Sequence, residues 1–450
     1  MPSGYPMTDS LDENVSNKAA SAKAAYTLKR MMAQPSQIPS LLTVNSTTDV
    51  IYTIDDFYLA HDYVEGSTDV LKVSLDLGKT WKVVTNSLTT DYGYIVNAFM
   101  FADGTFVMCC RKTEGCRIYW TRDFETFTPA TILDYNGNAF SPVANSLRFY
   151  IISPKTKHVF VDGVEHFCFW DYILTTTNPR LWYAISDENG VTVRAAFAFG
   201  YSTAKVNGVD TVLSARHGHW FDYNSLDGYF YALTGDADSE CHIMRGNHDS
   251  NHQWTWEKLA TGGGYKLLDV VFDEGNLYAV TDYTEASLAD AKGLVSIPID
   301  KISIRKKNSA NIWCPASLRY WFRATKDFMK QGSYYTNPTD AQIAAVSGHI
   351  IDNNGWRFCG TDYLGGSKHL IAKGDHNFVW VDNTANVRFG RFTGPNNKGE
   401  VFVSARTPDP GYASGEAGMR MSHRPYVNLT EVMRASGATD FFEGWQGTPY

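Results

Sequence analysis

The stretch VSLDLGKTWKVV, residues 73 to 84, alternates apolar Val73, Leu75 and Leu77 with Ser74, Asp76 and Gly78, then places a large ring at Trp81. Alternation with period two is the mark of a strand, and it breaks at Asp76 to Gly78, where a short acid and a glycine favour a tight turn. The segment therefore reads as strand, turn, strand. Three later runs, IYWTRDFETFTPA, LWYAISDENGVTV and CHIMRGNHDSNHQWTWEKL, turn in a similar way at Asp123, Asp187 and Asp249. Counted from Asp76, these aspartates are 47, 64 and 62 positions apart. Recurrence at that interval is the signature of a repeated supersecondary unit of about four strands plus a variable loop.

Each unit also opens on a hairpin signal. AFMFADGTFVMCC, HWFDYNSLDGYFYALTGD and VVFDEGNLYAVTD carry Asp103-Gly104, Asp227-Gly228 and Glu274-Gly275 between apolar runs, and glycine supplies the positive φ that two-residue hairpin turns demand. Strand, glycine turn, strand, aspartate turn, strand is a meander. From residue 43 onward the texture is β, so the expected fold is all-β: a β-propeller of five to seven blades over residues 43–420. Residues 312 to 410 hold further strands with weaker signatures (GWRFCGTDYL, HNFVWVDN, EVFVSAR).

Ahead of this domain, residues 8 to 34 are alanine-rich, lack Gly and Pro, and stop at Pro35. Ser10 with Glu13 forms a capping box at a helix start. Leu11, Val15, Ala19, Ala22 and Tyr26 recur at spacings of three and four and make a narrow apolar stripe suited to a seam between like helices. Residues 1–35 are thus expected to hold a helix that packs against like helices. A helix lying on its own domain is the alternative. Near the other end, YVNLTEVMRASGATDFF predicts a short helix capped by Asn428 with Glu431 and ended at Gly437, so residues 421–450 read as a closing helix and tail.

The totals exclude several classes. Net charge is -8 over 450 residues, and the longest basic run, Arg305-Lys306-Lys307, reads as a solvated turn. Nucleic-acid binding through a basic face is not expected. Seven cysteines without paired C-x-x-C spacing read as reduced, buried thiols rather than a zinc site or a disulfide framework. No apolar run of eighteen residues and no charged-then-apolar leader occurs, so synthesis in a cytoplasm and no membrane partner are expected.

Ser74-x-Asp76-x-Gly78-x-Thr80-Trp81 resembles the Asp-box of the sialidase superfamily, and Thr121-x-Asp123 followed by Thr126-Phe127 is a degenerate second copy. The resemblance implies a sialidase-like propeller with these boxes on its outer rim, where they shape turns and take no part in catalysis. It also implies what sialidase activity would need: an arginine cluster, with the first arginine in an R-I-P motif before the first box. No arginine occurs between Arg30 and Arg111, so that activity is not expected, and enzymatic function in general is left open. The segment TDSLDENVSNKAASAKAAYTLKRMM is similar to helical linkers of bacteriophage tail-fibre and receptor-binding proteins. That resemblance implies a virion protein, made in a host cytoplasm, that forms a homotrimer through its helix and partners other tail proteins and host-surface glycan.

Chemistry concentrates in ARHGHWFDYNSLDGYFYALTGD, residues 215 to 236. In a strand His217 and His219 share a face, an arrangement that suits metal ligation or a base with its orienter. Arg216, His217, His219, Trp220, Tyr223 and Asp236 are the candidate carbohydrate contacts. The competing reading is a His/Asp lock between blades. Asp236 and Asp282 are expected at matching ends of successive blades. A lyase would use His219 as base, Tyr223 or Tyr231 as acid and Arg216 against a uronate. Trp170, Trp182 and Tyr183 join Trp220 as rings able to stack on sugars, although an aromatic ring in a strand more often belongs to the core. No cofactor is expected, and metal binding at His217/His219 is left open. Three functions follow in order: a virion fibre or receptor-binding protein that contacts glycan, a glycan-degrading hydrolase or lyase, and a purely structural neck or tail protein.

Overall fold

The computed structural model describes residues 48–62, 70–84, 94–112, 115–142, 149–150, 157–171, 178–273, 275–282, 293–323, 348–353, 356–361, 368–373, 377–382, 388–393, 397 and 402–406. The N-terminal helix with Leu11, Val15, Ala19, Ala22 and Tyr26, and the C-terminal helix at Asn428, lie outside these residues. Among the described residues the chain is nearly all strand, broken only by 3-10 turns at Gly263–Tyr265 and Ile299–Lys301. Among the described residues no helix is long and apolar enough to cross a membrane.

The strands form successive antiparallel meanders. The first sheet is β1 (Thr48–Ile54), β2 (Phe57–Asp62), β3 (Val70–Ser74) and β4 (Lys82–Val84), hydrogen-bonded in that order. The second is β5 (Tyr94–Met100), β6 (Phe106–Lys112), β7 (Gly115–Thr121) and β8 (Thr128–Pro129). In the third, β9 (Thr131–Leu133) adds in parallel outside a meander of β10 (Phe149–Tyr150), β13 (Phe167–Asp171), β14 (Arg180–Asp187) and β15 (Gly190–Ala198). A hairpin, β11 (Phe160–Val161) with β12 (Val164–Glu165), precedes β13. The fourth sheet carries an outer hairpin, β16 (Thr203–Val206) and β17 (Val209–Val212), beside β18 (His217–Asn224), β19 (Tyr229–Gly235), β20 (His242–His248) and β21 (Trp254–Thr261).

The fifth is β22 (Leu267–Asp273), β23 (Asn276–Thr281), β24 (Gly293–Pro298) and β27 (Arg319–Arg323), interrupted by the hairpin β25 (Arg305–Lys307) and β26 (Trp313–Pro315). The expected turn at Arg305 to Lys307 is therefore a strand. It is exposed as anticipated, with Arg305 and Lys307 over the Trp313 ring. A further sheet is β28 (Gly348–Asn353), β29 (Trp356–Thr361), β30 (Lys368–Lys373) and β31 (Asn377–Asp382), followed by the pair β32 (Arg388–Thr393) and β33 (Phe402–Arg406).

First strands pack in chain order: β1 on β5, β5 on β10, β18 on β22, β22 on β28 and β28 on β32. The third sheet meets the fourth through β13 on β18. The circuit closes where β32 and β33 pack on β1, and there Asn397 donates its backbone N–H to Asp55 O at 3.0 Å and its side-chain amide to Asp56 at 2.9 Å. Sheets arranged in a closed ring are a propeller-like all-β fold, in which each sheet is covered on both faces by its neighbours.

That arrangement explains the burial. Strand β13 is buried along its whole length and β18 at nearly every residue, so alternation no longer separates core from surface. Trp170, Trp182 and Tyr183, expected as sugar platforms, are among the most buried side chains. Each ring loses its apolar area to a neighbouring sheet, at roughly 1.5–3 kcal/mol per large side chain. Cys109, Cys110, Cys116, Cys168, Cys241 and Cys314 are buried and outside any disulfide, as anticipated.

The turns fall where the sequence spaced them. Gly104, Gly228 and Gly275 each take positive φ between the first and second strands of their sheets, at 85°, 77° and 76°. Asp76, Asp123 and Asp249 lie between the third and fourth strands of their sheets, and Asp187 ends the third strand of its sheet at the turn into the fourth. In the first, Asp76 Oδ1 accepts from Ser74 Oγ and Thr80 N at 2.7 and 2.9 Å, and Oδ2 accepts from Thr80 Oγ1 at 2.7 Å. Gly78 N donates to Ser74 Oγ at 2.8 Å, and φ of +78° brings its bare Cα against the Tyr58 and Trp81 rings. Thr121 and Asp123 repeat the pattern: Thr121 Oγ1 donates to Asp123 Oδ1 at 2.9 Å, and Asp123 accepts from the N–H groups of Glu125 and Thr126. Asp187 and Asp249 accept from backbone N–H groups two positions on. These hydrogen bonds hold Asp76 and Asp123 down to about 2, in each case first through the Thr80 or Thr126 contact.

Candidate functional site

The polar centre lies at one end of the fourth and fifth sheets, where each first strand begins and each second strand ends. Arg216 precedes β18, and Lys266 holds the same place before β22. Asp236 follows β19, and Asp282 follows β23. The meander sets these matches, because each first strand pairs antiparallel with its second. His217 pairs with Gly235, and Leu267 with Thr281.

The four charges form an alternating ladder across the two sheets. Arg216 Nη1 stands 3.5 Å from Asp236 Oδ2, Asp236 Oδ1 3.0 Å from Lys266 Nζ, and Lys266 Nζ 3.1 Å from Asp282 Oδ2. Exposure grades along it: the Lys266 side chain is 7% exposed, the two carboxylates 27% each, and Arg216 48%. Burial alone would depress Lys266, but the Asp282 and Asp236 carboxylates outweigh it and raise its pKa. Burial would raise Asp236, yet its contacts with His217 and Lys266 hold it well below the ordinary carboxylate range.

Beneath the ladder sit the two histidines. The β18–β19 register shifts between Gly218 and Trp220, and this bulge at His219 turns its ring beside that of His217, with centroids 5.0 Å apart. The Nε2 atoms are 3.0 Å apart. His219 Nδ1 donates to Leu267 O of the next sheet at 3.0 Å. Gly235 is required opposite: a Cβ there would stand 2.2 Å from the His219 Cε1. Burial, then the neighbouring His217, lowers His219 to about 4, so it is neutral near pH 7. His217 Nε2 lies 3.5 Å from Asp236 Oδ2, and His219 Nε2 lies 3.9 Å from Oδ1.

Arg216, His217, His219 and Asp236 are thus brought together, and Asp236 and Asp282 stand at matching strand ends as anticipated. Trp220 and Tyr223 are not part of this centre. Trp220 is buried with its ring against Phe272, which removes it as a sugar platform. Tyr223 stands six residues along β18, about 20 Å from His217 at the usual strand rise. The lyase constellation fails for the same reason. Tyr231 is buried and its hydroxyl donates to Asp227 at 2.6 Å, at the far end of the hairpin from His219.

Lys266, the central cation, was missed. A weak signal for it exists: Asp62-Tyr63, Asp171-Tyr172, Asp282-Tyr283 and Asp362-Tyr363 recur in the sequence, at or just after the ends of β2, β13, β23 and β29. An acid repeated at second-strand ends invites a cation at the facing first-strand start. In the third sheet the same place behaves differently. Asp171 is fully buried, accepts from Trp182 Nε1 at 2.8 Å and Arg180 N at 2.9 Å, and is pushed up by burial to about 7.

No family model and no curated protein matches the chain. Among solved structures it is similar to a prolyl endopeptidase (12% identity, TM-score 0.44, covering 86% of this chain and 48% of that one). The chain therefore spans about half the length of that enzyme. It is also similar to a putative 6-phosphogluconolactonase from Bacteroides fragilis (10% identity, TM-score 0.42, covering 83% and 90%) and to a protein from Lactobacillus plantarum (10% identity, TM-score 0.42, covering 81% and 90%). At such identities and scores no residue's role carries across from any of them.

Proposed function

We propose that the chain is a fibre or receptor-binding protein of a phage virion: a seven-bladed, sialidase-like propeller on an N-terminal trimerising helix, which contacts host-surface glycan. Seven blades follow from taking β32 and β33 as the blade that closes on β1. The observation that supports glycan contact is the half-exposed ladder Arg216–Asp236–Lys266–Asp282, because fixed carboxylates and cations side by side can take sugar hydroxyls and acidic substituents together. The reading rests on polar contacts alone, since the four rings considered for stacking are buried. A glycan-degrading activity has less support: His219 is buried and Tyr231 is turned away from it, so these two do not face one sugar as base and acid. A purely structural role in a neck or tail is the remaining alternative.

The test is an array of bacterial capsular and lipopolysaccharide oligosaccharides probed with the purified full chain and with Asp282→Asn. Binding to a defined set, weakened at least about tenfold by the variant, supports the reading. Absence of binding to every glycan and to intact bacteria sinks it in favour of the structural role. Light scattering on the full chain and on residues 36–450 separates the helix's part: a trimer that survives the deletion refutes the trimerising stem.

A further inference from the structure

We infer that His217, His219 and Asp236 form a binding site for one divalent transition-metal ion. The two imidazole nitrogens and a carboxylate oxygen all lie within 4.8 Å of one another. Ligand atoms about 2.1 Å from a common ion stand roughly 3.0 Å apart at right angles and about 3.4 Å apart in a tetrahedron. The observed edges from His217 Nε2 are 3.0 Å to His219 Nε2 and 3.5 Å to Asp236 Oδ2, and His219 Nε2 is 3.9 Å from Asp236 Oδ1. The two nitrogens already stand at such an edge, and closing on an ion asks the partly exposed Asp236 carboxylate to turn one oxygen toward His219 Nε2.

The tautomer of His219 supports the assignment. Its Nδ1 faces a carbonyl oxygen, which can only accept, so Nδ1 carries the proton and Nε2 presents a lone pair to His217 and Asp236. A backbone carbonyl behind the far nitrogen is the usual way in which metal-binding histidines are oriented. Both rings are at most 1% exposed and locked: His219 fills the space that Gly235 leaves, and the bulge holds its Nε2 against that of His217.

The Lys266 ammonium and the Arg216 guanidinium are the opposing features, and their placement is compatible with a metal. Lys266 occupies Asp236 Oδ1 at 3.0 Å and is shared with Asp282, while Oδ2, with Arg216 Nη1 and His217 Nε2 each at 3.5 Å, is the oxygen that would exchange the Arg216 contact for an ion and bind in monodentate fashion. Two histidines and one carboxylate leave coordination positions open, and the Asp236 side chain is 27% exposed. The donor set suits Zn²⁺, Fe²⁺, Mn²⁺ or Co²⁺ in preference to Ca²⁺, which takes oxygen ligands.

The test titrates the EDTA-stripped full chain with Zn²⁺ by calorimetry in a non-chelating buffer, and with Co²⁺ by visible absorption. The expected result is one saturating equivalent with Kd at or below about 10 μM, weakened at least about tenfold in Asp236→Asn and lost in His219→Ala. Asp236→Asn keeps the shape of a half-exposed side chain, so it decides the matter should the buried His219 variant fail to fold. No saturable uptake of either ion by folded protein at about 100 μM, or uptake equal in Asp236→Asn, overturns the assignment.

Discussion

Replacing Lys266 by methionine tests whether the ladder joins the fourth and fifth sheets. The substitution keeps the apolar stem and removes the ammonium that stands 3.0 Å from Asp236 and 3.1 Å from Asp282. Removing one partner from a fully buried pair costs about 3–5 kcal/mol. Here the carboxylates are 27% exposed and Arg216 remains 3.5 Å from Asp236, which brings the expected loss down to about 2–3 kcal/mol. Unfolding entropy near 2 cal/mol/K per residue, over a cooperative unit of roughly 350 residues, converts this to a fall of about 3–4 °C in Tm. Thermal melts of wild type and Lys266→Met in EDTA at pH 7 measure it directly.

The sign of the pH dependence follows from the two shifts. Asp236 is held below its unfolded value, so its contribution is complete above about pH 4 and is lost as pH falls through the folded pKa. Lys266 is raised, so its contribution is complete below about pH 10.4 and is lost only as pH rises beyond that. The difference between the two proteins is therefore full at pH 7 and narrows toward pH 3, as Asp236 of the variant, no longer held down by the ammonium, protonates. A Tm difference below about 1 °C at pH 7, or one that is unchanged at pH 3, refutes the ladder as a stabilising element.

Gly235→Ala drives a methyl to within 2.2 Å of the buried His219 ring, and overpacking of this kind costs about 1–3 kcal/mol, or roughly 1.5–4 °C. A melt unchanged from wild type would show that the His219 ring is not held over Gly235. Asp171 is raised to about 7 by burial, so wild type is most stable at that site below about pH 4 and loses stability as pH rises from there through about 7. Asp171→Asn abolishes that slope in urea melts between pH 5 and 8, and an identical slope in both proteins would contradict an acid titrating near neutrality.

Much of the fold was legible because its turns are local. Asp76, Asp123, Asp187 and Asp249 organise their own neighbours through hydrogen bonds two to four residues away, and the glycine turns need only a permissive φ, so both repeat visibly along the chain. The gathering of Arg216, His217, His219 and Asp236 was legible for a similar reason: one hairpin joins them. Trp170, Trp182, Tyr183 and Trp220 are core, the commoner fate of a strand aromatic; the choice between core and sugar platform was not legible because a strand covered on both faces carries aromatics in either direction. Lys266 was missed because it lies in the next sheet, and a single lysine before an apolar run has no pattern of its own.

The sequence by itself determined the repeated strand meander, the places of its turns and the hairpin that carries the histidine pair, since each depends on contacts within a few residues or across one tight turn. Tertiary structure alone decided which aromatic rings are core, that Lys266 sits between Asp236 and Asp282, and that a bulge brings two imidazole nitrogens to 3.0 Å. Those outcomes depend on how separate sheets meet around the ring, where burial and pairing are set by partners tens of residues away.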